Sequence, residues 1–151
     1  MEEIIKVEKL QKSFSGVPVL KDINFSVHRG KVLSVIGPSG SGKSTLLRCV
    51  SQLETVDGGS ITVCGKQLVK DGVYSPKPLL HEISLKSGMV FQNFNLFSHY
   101  SVLKNVVDPQ VCVLKKTREE AVENAMKLLE RMGLANKADN YPCQLSGGQK
   151  Q

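Results

Sequence analysis

Two short strings in this sequence have the residue types and spacing needed to hold phosphate. The first, GPSGSGKS at residues 37–44, matches GxxxxGK[ST]. Gly37, Gly40 and Gly42 allow backbone angles closed to other residues, so successive N–H groups of the loop that also holds Pro38, Ser39 and Ser41 can turn inward onto phosphate oxygens. The start of the helix that follows adds unpaired amides and the positive end of a helix dipole. Lys43 supplies a mobile charge for the β- and γ-phosphates, the Ser44 hydroxyl suits a bridging Mg2+, and Thr45 can donate to the α-phosphate. A chance match in a chain of this length occurs on the order of once in two hundred sequences. The second string is LSGGQ at residues 145–149. Ser146 can cap a helix, and Gly147 and Gly148 let backbone amides approach an anion. Taken alone, it is a capped helix start.

The first string needs a strand before it and a helix after it, and the pattern supplies both. KVLSVI at 31–36 is a short apolar run leading into the glycines, and STLLRCVSQLE at 44–54 has helical spacing at Leu46, Leu47, Val50 and Leu53. Upstream, residues 4–10 and 23–28 alternate apolar with polar, as half-buried antiparallel strands do, around the turn-rich SFSGVP. GGSITVCGK predicts a short strand, Val69 to Ser87 with its prolines an irregular excursion, and GMVFQ another strand. Thr117 with Glu120 forms a capping box for a helix with apolar residues at Ala121, Ala125, Leu128, Leu129 and Met132, which Gly133 can end in a left-handed conformation.

The bulk properties narrow the class. With 151 residues, 40% hydrophobic and 23% charged, the sequence is that of about one globular domain, neither disordered nor fibrous. No window reaches the roughly eighteen apolar residues of a membrane helix, and MEEIIKVEKL lacks the parts of a signal peptide, so a cytoplasmic protein is expected. Cys49, Cys64, Cys112 and Cys143 have no metal-type spacing, which argues against a zinc site or disulfide framework. The net charge of +6 is dispersed and aromatic content is 5%, a solvated surface rather than a nucleic-acid interface.

Together, GPSGSGKS and LSGGQ resemble the ABC ATPase family. GPSGSGKSTLLRCVSQLE, GMVFQNFNLFSHYSVLKNV, TREEAVENAMKLLERMGL and YPCQLSGGQKQ are similar to the ATPase subunits of polar amino-acid importers, and the resemblance covers essentially the whole chain. It implies an α/β fold of the P-loop NTPase class, with an N-terminal antiparallel β-subdomain, a mixed core sheet and the start of a helical subdomain. Residues 1–151 would be a partial ATP-binding domain, with the β-subdomain and phosphate-loop core at about 1–92 and an incomplete helical subdomain at about 93–151. The resemblance also implies ATP and Mg2+ as cofactors, with residues 37–45 on the nucleotide. It places Lys43 and Gln92 among the catalytic residues, Ser44 and Gln92 toward the metal, and Phe14 against adenine. Leu145, Ser146, Gly147, Gly148 and Gln149 would grip the γ-phosphate of ATP held by a second ATP-binding subunit in a head-to-tail dimer. Transmembrane permease subunits would be the other partners, at the inner face of the cell membrane. Ser98, Tyr100, Lys104 and the string HEISLK depart from that subgroup, on what would be the coupling surface.

Hydrolysis in the family also uses an apolar strand ending in Asp then Glu, the glutamate polarising the attacking water, and a histidine beyond the signature. The sequence has no such Asp-Glu segment, and none of His28, His81 or His99 lies in a matching position. The resemblance therefore implies a front portion that lacks roughly a third or more of a normal domain, with poor stability expected of the polypeptide alone. Two other readings stand beside the importer ATPase: a catalytically silent nucleotide-binding fragment, and a soluble ABC ATPase outside transport, which would carry a coiled-coil insertion or tandem cassettes.

Overall fold

The computed structural model describes residues 2–151, which form two compact units, one running to Met89 and the other Val90–Gln151. The first unit is built on five strands, β1 (Glu3–Phe14), β2 (Val17–His28), β3 (Gly58–Val63), β4 (Lys66–Lys70) and β5 (Val73–Tyr74), in the spatial order β2-β1-β3-β4-β5. Every neighbouring pair is antiparallel. Three connections are two-residue turns, at Ser15-Gly16, Cys64-Gly65 and Asp71-Gly72, and all six residues have positive φ. That backbone twist matches the right-handed twist of the flanking strands, so short antiparallel strands follow from local chemistry.

Alternation along the strands turns one face inward. Val7, Leu10, Ile61, Val63 and Leu68 are buried there, against Leu46 and Cys49 of α1 (Lys43–Val50) and Ile83 of α2 (Lys77–Ser84). Each such leucine or isoleucine contributes roughly 2 kcal/mol over its exposed state. Lys9 at φ 50 bulges β1, and Gly59 at φ 86 lies opposite. A Cβ on Gly59 would stand 2.4 Å from the Lys9 carbonyl oxygen, so the backbones approach there as only glycine permits.

Three segments differ from the pattern-based expectation. The turn in SFSGVP shrinks to two residues because β1 and β2 extend to Phe14 and from Val17. Val69 to Ser87 is ordered: it holds the end of β4, β5 and α2, with Pro76 at the N-cap and a further proline, Pro78, in the first turn. Proline lacks only an N–H that this turn leaves unpaired, so the two prolines start a helix here instead of breaking one. Finally, neither 31–36 nor 88–92 is a strand, and the expected mixed core sheet is not formed among the described residues. A strand exists only through a partner, and no described strand pairs with either run: Val32 is 92%, Ile36 91% and Val90 80% exposed.

The second unit is helical. Ser101 caps α3 (Val102–Cys112) by accepting from Lys104 N–H at 3.2 Å. Thr117 and Glu120 form the expected reciprocal box at the start of α4 (Arg118–Arg131), and Gly133 follows it at φ 69. Ala121 and Ala125 let α4 close onto Val107 of α3, while Leu129 joins Val102, Ala138 and Leu145 in a second small core. A four-residue helix, α5 (Gly147–Lys150), ends the unit.

Candidate functional site

The glycine-rich loop lies between residue 36 and α1, with Gly42 as the helix N-cap at φ 88. A Cβ at Gly42 would meet Val19 Cγ1 at 3.0 Å and Leu20 Cδ2 at 3.1 Å, so glycine here is required both by conformation and by the seat of α1 on β2. No side chain caps α1 and its first turn carries no acidic residue. The first-turn amides, which lack carbonyl partners within the helix, therefore stay open toward the loop. That is the electrostatic condition for an anion.

Lys43, the first residue of α1, folds back over the loop. Its ammonium donates to the carbonyl oxygens of Gly37 at 2.9 Å and Pro38 at 2.6 Å, with Ser41 Oγ at 3.4 Å. Three acceptors meet the three ammonium protons, which fixes the charge at the centre of the cradle. An arriving phosphate would take over one or more of those protons. Ser44, one residue on, is exposed.

Phe14 belongs to the same unit. It ends β1, pairs with Val17 across the turn and is 43% exposed. Two residues beyond Val17, Val19 and then Leu20 stand against Gly42. The hairpin that carries the aromatic thus also supports the cradle.

In the second unit the LSGGQ string sits at the start of α5. Ser146 Oγ accepts from Gln149 N–H at 3.3 Å, and Gln149 Oε1 accepts from Ser146 N–H at 2.9 Å. Neither Gly147 nor Gly148 has a positive φ, and a Cβ on either would meet nothing within 4 Å. Their glycine character thus has no explanation inside this chain; what it leaves is bare backbone at the surface. The Leu145 side chain is buried with Leu129 and Val102, so it anchors the string to the helical unit.

A sequence model of the family described as ABC transporter matches residues 20–151, both strings included. This chain belongs to the ABC transporter family. Among relatives, the glutamate transport ATP-binding protein GluA of Corynebacterium efficiens is 49% identical over 98% of the chain and 59% of its own length. The arginine transport ATP-binding protein ArtM of Bacillus subtilis is 47% identical, over 98% of the chain and 60% of its own length. The chain thus spans about 60% of the length of the curated relatives it matches. Among solved structures, an ATP-binding cassette in a dimeric post-hydrolysis state bound to ADP and Pi superposes with TM-score 0.80 at 29% identity, over 97% of this chain and 65% of the other. A second, cbiO1 of Clostridium perfringens, part of an ABC transporter complex, gives TM-score 0.80 at 32% identity, over 99% and 58%.

In this ABC chain Gln92 is exposed in the turn region after Phe91. Just beyond it, Asn105 of α3 clasps a loop: Oδ1 accepts from Phe97 N–H at 2.8 Å, and Nδ2 donates to the carbonyl oxygens of Phe97, Tyr100 and Ser101. Sequence reasoning missed Asn105, which has no local signal. It also missed Lys12, whose side chain is 8% exposed and pairs with Glu54. Here a signal existed, since Lys12 follows Leu10 by two and so falls on the inward face of β1. No helix among the described residues is long and apolar enough to cross a membrane.

Proposed function

We propose that this protein is the ATP-binding subunit of an amino-acid importer, and that residues 37–45 hold the nucleotide's phosphates. The observation that carries the reading is the centring of the Lys43 ammonium over a loop that opens onto the uncapped start of α1. The curated relatives named for glutamate and arginine transport support the substrate class. Phosphate would bind the first-turn amides and the Lys43 ammonium, and adenine would stack on Phe14 in the hairpin that seats the cradle. The exposed Ser44 hydroxyl beside those amides fits Mg2+, which takes one or two protein oxygens and, when bound, neutralises charge between the β- and γ-phosphates.

Gln92 and Ser44 would lie toward the metal, Gln92 with a part in hydrolysis. Ser146 to Gln149, on bare backbone, would face the γ-phosphate held by a second ATP-binding subunit, and the solved dimeric cassette supports such a pairing. Transmembrane permease subunits would be the coupled partners, with the protein peripheral to the membrane on its inner face. The second reading, a silent nucleotide-binding module, concerns residues 1–151 taken by themselves, among which no Asp-Glu pair ends an apolar strand.

Calorimetric titration with Mg-ATP, followed by a turnover assay, tests both. Binding that is lost in Lys43→Ala supports the cradle, and binding without turnover supports the silent module. Lys43-dependent turnover supports the ATPase, and an absence of saturable binding would remove the nucleotide reading altogether.

A further inference from the structure

Phe14, at the end of β1, is partly exposed and has a cation beside its ring. The Lys12 ammonium lies 4.9 Å from the centroid of its ring. Behind it, the same ammonium reaches Glu54 at 2.9 Å, the Thr55 hydroxyl at 3.3 Å and Asp57 at 3.7 Å. Asp57 ties the strand a second time, accepting from Ser13 N–H at 2.6 Å and donating its own N–H to the Gln11 carbonyl at 2.9 Å. All three acceptors lie in the segment leaving α1, whose other end is the phosphate cradle. One continuous stretch therefore runs from the cradle, along the helix, to the clamp beneath the aromatic.

A lysine on an inward register position is costly unless paired, and a carboxylate alone would satisfy it. The placement against Phe14 does more. A cation on one face of an aromatic ring is held by the ring's quadrupole, fixes the ring's orientation and draws π density toward itself. The other face is left electron-poor and presented for stacking on an electron-rich purine. We infer that Lys12 is a positioning residue for the base: with Glu54 and Asp57 behind it, it sets the Phe14 ring as a stacking platform, so that its removal lowers affinity for the base and not for the phosphates. The inference rests on the proposed contact between Phe14 and adenine, and it adds the device that orients that contact.

The experiment compares the dissociation constants of ATP and of inorganic tripolyphosphate, measured by calorimetry on the full chain. The variants are Lys12→Met, Lys12→Arg, Phe14→Leu and Lys12→Met with Phe14→Leu. The preference for ATP over tripolyphosphate is expected to fall about threefold to tenfold in Lys12→Met, with tripolyphosphate affinity unchanged. Lys12→Arg keeps the cation and should restore the preference, while in the Phe14→Leu background the loss of Lys12 should change the preference no further. Equal loss of both ligands in Lys12→Met, or an unchanged preference, overturns the inference, because Lys12 would then serve the fold alone. If Phe14→Leu keeps the full preference for ATP, the base platform itself is wrong. If Phe14→Leu loses it and Lys12→Met does not, only the role of Lys12 falls.

Discussion

The ammonium of Lys43 donates to the carbonyl oxygen of Gly37 at 2.9 Å, so the charge that would meet a phosphate is already held over the loop. Lys43→Met removes both the charge and the tie. A charge-assisted hydrogen bond contributes about 1.5–3 kcal/mol, so ATP affinity should fall about tenfold to a hundredfold. Amides of residues 39–42 should also exchange faster with solvent, since the bonds to Gly37, Pro38 and Ser41 close the loop. Unchanged affinity in calorimetry would remove Lys43 from the site.

Gly40 and Gly42 have similar left-handed φ values, 79 and 88, but different surroundings. A Cβ at Gly40 would meet nothing within 4 Å, whereas one at Gly42 would press on Val19 and Leu20 at 3.0–3.1 Å. Gly40→Ala should therefore cost only the conformational penalty, about 1–2 kcal/mol. Gly42→Ala should cost more, because α1 must also move off β2. Chemical denaturation of the two variants side by side checks the order; equal losses would mean that the seat of α1 on β2 is soft.

The elements legible in the sequence were those written locally. Thr117 and Glu120 specify a cap by their own hydrogen bonds, and Gly133 stops the same helix by its left-handed backbone. The glycines of the cradle are likewise local. Residues 31–36 and 88–92 have strand composition, but strand formation is settled by partners that composition does not contain. The inward position of Lys12 could be read from its spacing to Leu10, but its partners could not: Glu54 and Asp57 are more than forty residues away, and only the packing of α1 on the sheet brings them together. The α2 helix was missed because prolines, read as breakers, stand where a first turn tolerates them.

The unpaired run at 31–36 leads to a third expectation. Val32 and Ile36 project into solvent and their backbone lies outside the sheet, while Val7 and Ile61 face one another in the ladder between β1 and β3. Local protection follows hydrogen bonding and burial, so amides of residues 33–36 should exchange orders of magnitude faster than those of the β1–β3 ladder. The apolar run should also make the chain self-associate as concentration rises. Slow exchange at 33–36 in a monomeric sample would show that the run finds a partner within the chain.

Cys49 gives a pH dependence with a definite sign. Burial against the sheet pushes its thiol up to about 11, although the neighbouring Lys12 ammonium acts in the opposite direction. An unfolded cysteine titrates near 8.5. Below that value both states hold the proton and the contribution of Cys49 is fully present. Between about 8.5 and 11 the unfolded chain loses a proton that the folded chain keeps, so stability falls as pH rises through this window. Cys49→Ala should flatten that alkaline limb in denaturation curves collected from about pH 8 to 9, where lysines remain almost fully charged. The same burial predicts selective chemistry. Cys64, Cys112 and Cys143 are exposed and should alkylate readily at pH 8, whereas Cys49 should react only on the timescale of unfolding. Rapid modification of Cys49 in the folded protein would contradict its place in the core, and with it the expected slope.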